Sequence, residues 1–429
     1  MLQTLKNAWK IVDLRKKLLF TLLIVLLYRL GAQIPVPYIS HASFGGTAAN
    51  LQGILEYMNL LSGGALSQAT LFALSVSPYI TASIVVQLLS IAIPALERLS
   101  KQGEEGRKKI NAITRWVTVG LALVTSYGYM NILENSGAFV TDLGVFEKIV
   151  VVACYCAGAA LVMWMAEKIN EVGIGNGISI ILFANILSSG YTLCKGLWDK
   201  VIVREEYHIA VGILLGLVAV AVMLAIVTLV VLVTNSERRI PIQYAKRVVG
   251  RKMYGGQNSN LPIKLNMSGV MPIIFAGSIV SIPATIAALF NIGWMQSFAE
   301  SFSQDSWIYI AIYLILIVAF SYFYIMISFN PVEVANNIKN NGGAVPGVRT
   351  GKPTVDFITK ILNRITMIGG IFLCFIAGFP MIINAITGGE LSALAFGGSS
   401  LLIVVGVALE TVRELEAQIT LRNYKGFLD

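Results

Sequence analysis

Leu61-Ser62-Gly63-Gly64-Ala65-Leu66-Ser67-Gln68-Ala69-Thr70-Leu71-Phe72-Ala73-Leu74-Ser75-Val76-Ser77-Pro78-Tyr79-Ile80 opens an apolar run that continues to Ala95. The run from Leu66 to Ala95 is longer than one membrane crossing, which needs roughly 20 apolar residues. Ser75, Ser77 and Pro78 interrupt it, so the stretch reads as two helices. The first, Ala65 to Ala73 on the Ser62-Gly63-Gly64 hinge, is too short to cross and is expected to dip in from the outer side and stop. A short helix on a glycine hinge is a candidate movable stopper. The second, starting near Val76, is a full span.

The rest of the chain has the same solvent. Of 429 residues, 56% are hydrophobic and 13% charged, with a mean hydropathy of +0.74. That leaves too little polar surface for a water-soluble globule. Apolar windows place spans at Leu18–Ala32, Val76–Ile93, Ala112–Leu133, Ile149–Ala166, Gly177–Leu193, Ile209–Val233, Met267–Leu289, Trp307–Phe329, Ile361–Ile383 and Ala395–Val412. The expectation is an all-α polytopic membrane protein of ten transmembrane helices, with both termini on one side. Lys and Arg number 25 in the segments on that side and 4 in the opposite loops. The positive-inside bias therefore makes both termini cytoplasmic. The basic, apolar N-terminus resembles a signal peptide. Arg29 within it, and the lack of a small-residue cleavage site, favour a retained first span.

The formal charge of +9 is accounted for by this placement and calls for no DNA partner. Cys154, Cys156, Cys194 and Cys374 lack metal-ligand spacing and read as packing residues. No phosphate-binding glycine loop followed by Lys and Ser or Thr occurs. His41 and His208 assemble into no catalytic constellation, so no enzyme activity, metal or cofactor is expected. Arg29 and Glu410 are expected to snorkel to the interfaces. Ser268-Gly269 before Pro272 echoes Ser62-Gly63 before Pro78, five spans earlier. Interrupted helices at matching places in two odd-numbered halves mark a transport pathway in inverted-repeat membrane proteins. A secondary active transporter of a small solute shares these features, yet it needs a buried coupling carboxylate, and none is evident here.

Three motifs carry a family resemblance: Leu61-Ser62-Gly63-Gly64-Ala65-Leu66, Ser77-Pro78-Tyr79-Ile80-Thr81-Ala82-Ser83-Ile84 and Gly173-Ile174-Gly175-Asn176-Gly177-Ile178-Ser179. Tyr244-Ala245-Lys246-Arg247, Leu265-Asn266-Met267-Ser268-Gly269-Val270-Met271-Pro272, Asn330-Pro331, Val345-Pro346-Gly347-Val348-Arg349 and Phe396-Gly397-Gly398 add to it. Together they resemble the SecY family of protein-secretion channels across nearly the whole chain.

The resemblance implies two inverted halves, 1–194 and 195–429, each of five spans, around a central hourglass pore. Its ring of aliphatic side chains would be Val76, Ile80, Ile178, Leu182, Ile274 and Ile403. The family often has Ile where this chain has Val76 and Leu182. The re-entrant plug helix would span about 63–73, with Gly63, Gly64, Ala65, Leu66, Leu71 and Phe72, and its small residues should keep its contacts shallow.

A lateral gate between the second and seventh spans would be latched across the seam by Thr81, Ser83, Gln87, Asn266 and Ser268. The cytoplasmic loops 234–266 and 330–360 would form a basic platform. Independently of the resemblance, Ile240, Ile242 and Tyr244 in the first loop alternate as a short strand would. Arg247, Arg251, Lys252 and Arg349 would meet the motor ATPase SecA or the ribosome there. SecE and SecG would be partner subunits. The substrates would be signal sequences and unfolded polypeptides, and membrane lipid would surround the whole in a bacterial plasma membrane.

Overall fold

The computed structural model describes residues 2–39, 59, 62–100, 102–135, 137–139, 144–201, 209–244, 247–249, 252–254, 258–290, 306–386 and 392–425. Each of the ten apolar windows overlaps one helix, though the window from Met267 begins four residues before its helix. These are α2 (Val12–Gly31), α3 (Ser77–Ala92), α5 (Glu104–Asn135), α6 (Val145–Val172), α7 (Gly177–Val201), α8 (Ile209–Asn235), α9 (Met271–Phe290), α10 (Trp307–Ser328), α12 (Lys352–Ile386) and α13 (Ser392–Lys425). The short helices α1 (Leu2–Lys10), α4 (Pro94–Ser100) and α11 (Pro331–Asn340) lie beside them. The division drawn after residue 194 falls inside α7.

Four described stretches, 104–134, 145–172, 307–340 and 352–383, are each long and apolar enough to cross a membrane. The pair α3 and α4, bent by 106° at Ile93, makes a fifth if it is one span. Pro94 explains the corner, because a proline removes a helical hydrogen bond and disfavours helix at the residue before it.

The polarity of the surface is inverted relative to a water-soluble protein. Leu22, Leu217, Leu224, Ile315 and Met326 are exposed, while Thr118, Ser126 and Thr366 are buried. An apolar belt of this extent suits hydrocarbon, not water.

The all-α expectation needs a correction on the 234–266 and 330–360 segments, which hold two small sheets. β1 (Glu237–Tyr244) is the middle strand of an antiparallel sheet, flanked by β4 (Asn258–Lys264) and β5 (Gly343–Ala344). β2 (Arg247–Val249) and β3 (Lys252–Tyr254) form a hairpin, pairing Arg247 with Tyr254 and Val249 with Lys252. Ile240 and Ile242 are buried and the residues between and before them exposed, the period-two pattern that a one-sided strand requires. Pro241 is tolerated because β5 pairs only with Gln243 and Tyr244, leaving β1 an edge where the proline sits. A Cβ on Gly343 would lie 2.9 Å from the Tyr244 ring and 3.1 Å from Ile242, so the close approach of β5 needs glycine. Ile240, Ile242, Ile263, Ile338, Val345, Ile358 and Leu362 share one apolar cluster, which makes a single body of the two loops.

The stretch 63–73, expected to be a short helix, is a succession of turns. Its backbone bonds close over three residues, from Ala69 to Leu66 and from Ala73 to Thr70, or over five, from Thr70 to Ala65, and the Leu71 N–H donates outward to the Ile34 carbonyl at 2.9 Å. Gly63, Gly64, Ala69 and Ser75 all have positive φ, a conformation no α-helix contains.

Candidate functional site

The six residues expected to form a ring all fall in or against one large core cluster. Val76, Ile80, Leu182, Ile274 and Ile403 are at most 3% exposed and belong to one apolar cluster, with Ile178 packed against it. They come from α3 and the residue before it, α7, α9 and α13, so chain positions more than three hundred apart share one core. Branched aliphatics from four helices make no directional bonds, and such a contact can part and reclose.

The turn segment 62–76 enters the same cluster through Ala65, Phe72 and Val76. A second cluster, with Tyr129, Leu133 and Tyr155, takes Leu66, Ala69, Ala73 and Leu74. Shallow contacts were expected because the residues are small. Instead Ala65, Leu66, Ala69, Phe72, Ala73 and Leu74 are each at most 3% exposed. Small side chains let backbones approach closely, which is the usual basis of packing in lipid. Gly158 of α6 illustrates it, since a Cβ there would stand 2.0 Å from the Leu71 carbonyl oxygen. Gly31 of α2 likewise leaves room for the Phe72 ring, 2.1 Å from where its Cβ would be.

Polar side chains that the motifs did not single out hold this segment. The Tyr28 and Ser75 hydroxyls are 3.1 Å apart, and the Asn185 amide donates to the same Ser75 oxygen at 3.1 Å. The Tyr129 hydroxyl donates to the Leu66 carbonyl, and that of Tyr155 donates to the Ala69 carbonyl at 3.3 Å. The rings of Tyr28 and Phe72 stack at 5.5 Å. Arg29 does not simply reach for the interface: its guanidinium donates to the Ala184 carbonyl and lies beside Gly63. The signal in the sequence was the presence of Arg and Tyr within apolar windows, where an unpaired polar group is costly.

The seam residues behave differently from expectation. α9 packs against both α3 and α5. The hydrogen bonds of the five polar residues stay within their own segments. Thr81 donates to the Ser77 carbonyl at 3.1 Å, Gln87 to the Ser83 hydroxyl at 3.1 Å, and Ser268 to Asn266 at 3.3 Å. Four residues back along a helix, the nearest acceptor for Thr81 is its own backbone, which satisfies the hydroxyl before a second helix can. No bond among these five latches the seam. Ser268 is buried and precedes a left-handed Gly269, as buried Ser62 precedes left-handed Gly63.

Of the expected docking residues, Arg349 is exposed on a turn between left-handed Gly347 and Gly351. Arg247 and Lys252 lie on the β2–β3 hairpin, and Arg251 lies outside the described residues. The end of α8, just before the sheet begins, is tied to α13 by Arg413, whose guanidinium donates to the Thr234 carbonyl at 2.9 Å and to the Asn235 side-chain oxygen at 2.7 Å. Burial, with Arg413 nearby, pushes the Lys264 ammonium below its ordinary pKa, while Glu410 and Glu237 oppose the shift. No group of three or more His, Cys, Asp or Glu among the described residues could hold a metal ion.

A family model described as SecY matches residues 70–412. A curated relative from Streptomyces galbus, named a protein translocase subunit SecY, is 43% identical over 444 residues, covering 100% of both chains. Among solved structures, one described as a protein-conducting channel superposes with a TM-score of 0.64 at 18% identity, covering 94% of this chain and 91% of that one. Sec61 in a canine ribosome-channel complex from the endoplasmic reticulum gives 0.60 at 17% identity, with 94% and 91% covered.

Proposed function

Because the chain belongs to the SecY family, a family of multi-pass membrane proteins that act as protein translocase channels, we propose that the six clustered aliphatic residues are the constriction through which polypeptides pass. The observation that carries this reading is the convergence of Val76, Ile80, Ile178, Leu182, Ile274 and Ile403 on one cluster from four separate helices. A narrow aliphatic bottleneck sheds water and gives an ion no substitute for its hydration shell, so it resists leakage without a covalent seal. It also grips no particular sequence, which suits a substrate defined by being unfolded.

Around this constriction the ten helical windows are ten spans in two inverted halves, enclosing an hourglass pore. The paired Ser-Gly breaks at 62–63 and 268–269 support that repeat. The segment 63–73 is the plug, built of turns and not a helix, and it fills the funnel on the outer side. The seam of α3 and α9 is the lateral gate through which signal sequences and membrane helices leave for lipid. Its closure rests on apolar packing, since Thr81, Ser83, Gln87, Asn266 and Ser268 are satisfied locally.

The bias of 25 basic residues against 4 supports cytoplasmic termini in a bacterial plasma membrane. The platform carrying Arg247, Arg251, Lys252 and Arg349 then faces the motor SecA or the ribosome, whose phosphates attract Arg and Lys. SecE and SecG complete the channel. The chain itself is not an enzyme, and the energy for transport comes from a partner or from the membrane potential.

Single cysteines at Ile80 and Ile274 test the reading, with Leu217 and Ile315 as lipid-facing controls at 65% and 67% exposure. A polypeptide arrested midway through the membrane should crosslink to the first two and not to the controls. Crosslinks at the controls alone would remove the constriction from the pathway.

A further inference from the structure

Ile403, Gly406, Glu410 and Arg413 follow one another along α13 at spacings of three, four and three. Such spacings put them on one face, in a line about 15 Å long at the usual helical rise. At one end, Ile403 belongs to the aliphatic cluster proposed as the constriction. At the other, Arg413 bonds Thr234 and Asn235, where α8 gives way to the 234–266 loop. The chain returning from that loop meets Gly406. A Cβ there would stand 2.6 Å from Cγ1 of Val270, the residue before α9. The Val270 carbonyl in turn accepts the backbone N–H of Ile274, another member of the cluster, at 3.3 Å.

The loop is closed at its neck, where the Leu265 N–H donates to the Ser236 carbonyl at 2.9 Å and Glu237 pairs in register with Lys264. Between the two contacts, Glu410 attracts the Lys264 ammonium of β4. A stiff hairpin is therefore seated on one helix face at both of its roots. A Cβ on Gly369 of α12 would also come within 2.7 Å of the Leu265 carbonyl oxygen, but α12 carries none of the six aliphatic residues. On its other side α13 approaches the start of α7, since a Cβ on Gly175, three residues before Ile178, would lie 3.4 Å from the Thr411 hydroxyl.

We propose that α13 transmits displacement of the 234–266 loop to the aliphatic cluster, with Arg413 and Gly406 as positioning residues. The proposal rests on the reading of that cluster as the constriction. A partner that tilts the loop moves Thr234 and Asn235, and the Arg413 bonds carry the motion to α13. Gly406 sets the resting state: without a side chain it lets Val270 lodge against α13, which keeps Ile274 and Ile403 in one cluster. Val270 is β-branched and has few rotamers with which to yield to a methyl group. The two residues therefore act with opposite sign. Losing the Arg413 bonds leaves the cluster unresponsive to the loop, whereas filling Gly406 parts the cluster with no load on the loop. Two residues that merely supported packing would shift the channel in the same direction.

Single-channel currents from the assembled channel in planar bilayers test this, recorded before and after the motor SecA and ATP are added on the side of the loop. The parent is expected to be silent alone and to open with the motor. Arg413→Gln is expected to open roughly tenfold less often with the motor present, with motor binding unchanged. Gly406→Ala is expected to open about tenfold more often without the motor, because the added methyl overpacks the contact with Val270. Adding Val270→Ala to the same chain removes the methyl that it strikes and is expected to silence the channel again. Ile403→Asn by itself tests the constriction. If it stays silent, that reading falls and the transmission with it. If it conducts, the proposal alone is overturned by a parent that the motor leaves closed, or by Arg413→Gln responding like the parent or losing motor binding as much as opening. Gly406→Ala remaining silent, or leaking equally after Val270→Ala, would overturn it too.

Discussion

The Tyr28 and Ser75 hydroxyls, 47 positions apart in the chain, meet at 3.1 Å and fasten α2 to the residue from which the turn segment enters α3. Ser75 holds a left-handed φ of 49°, a conformation that costs a non-glycine residue on the order of 1 kcal/mol and persists only when its surroundings enforce it. Two polar groups enforce it here, and the next residue, Val76, belongs to the aliphatic cluster proposed as the constriction. The same contact therefore links the hold on the turn segment to the position of one constriction residue.

Tyr28→Phe keeps the ring on Phe72 and removes the bond to Ser75, which is worth on the order of 1 kcal/mol. Amide exchange across 65–76 should rise several-fold, and ion leak through reconstituted channels should increase. Ser75→Ala should have the larger effect and Ser75→Gly a smaller one, because glycine adopts the left-handed backbone freely. Identical behaviour of the Ala and Gly variants would show that backbone strain has no part in holding the segment.

Gly158→Ala forces a methyl to within 2.0 Å of the Leu71 carbonyl oxygen, a backbone atom that cannot swing aside. A destabilisation of about 1–3 kcal/mol is expected, read as a lower thermal midpoint and faster exchange in the turn segment. Gly120→Ala in α5 is the control. Nothing stands within 4 Å of its Cβ, and alanine favours a helix, so its midpoint should hold or rise. Equal midpoints for the two variants would contradict the close approach of α6 to the segment.

Much of this was legible in the sequence. Apolar windows located the helices because lipid demands length and hydropathy, two properties that a chain displays residue by residue. The alternation of Ile240, Ile242 and Tyr244 gave away β1 for the same reason. What was not legible is who satisfies whom. The sequence of 63–73 looks helical in its alanines and leucines, yet the segment, with left-handed Gly63, Gly64 and Ala69, is held by distant partners such as Tyr129, Tyr155 and the Ile34 carbonyl. The expected latch across Thr81, Ser83 and Gln87 failed on the opposite ground. Each group found a partner within its own helix, a local alternative that spacing alone could have suggested.

Arg413→Lys keeps the positive charge but changes the reach and the donor geometry of the terminal nitrogen, Nη2, that bonds both Thr234 and Asn235 at the end of α8. A loss of roughly 1–2 kcal/mol is expected in the docking of the end of α8 on α13, seen as faster exchange in the last turn of α8 and in β1, which follows it, with the exchange of α10 unchanged. A uniform change in both elements would mean that Arg413 supports the fold as a whole.

Arg349→Glu reverses an exposed charge on a turn whose flanking glycines fix its shape, so the fold should tolerate it. Surface substitutions away from buried networks usually shift stability by no more than about 0.5 kcal/mol. Motor-driven export is expected to fall at least tenfold while the amount of assembled channel stays the same. Parallel losses of export and assembly would make Arg349 structural instead of a docking residue.

Ile274→Asn and Ile358→Asn separate the constriction from ordinary burial. Both residues are at most 2% exposed, the first in the cluster proposed as the constriction and the second in the apolar core under the two loop sheets. Burying an amide without partners costs about 1–3 kcal/mol at either place, so both variants should lose thermal stability. Only the first places a polar group in the proposed constriction, where an amide can hold water in what is otherwise an ion-excluding aliphatic contact. Single-channel recordings from planar bilayers should therefore show spontaneous openings for Ile274→Asn and a silent membrane for Ile358→Asn. If both conduct, general loosening and not the constriction governs the seal, and if neither does, the ion barrier lies elsewhere along the axis.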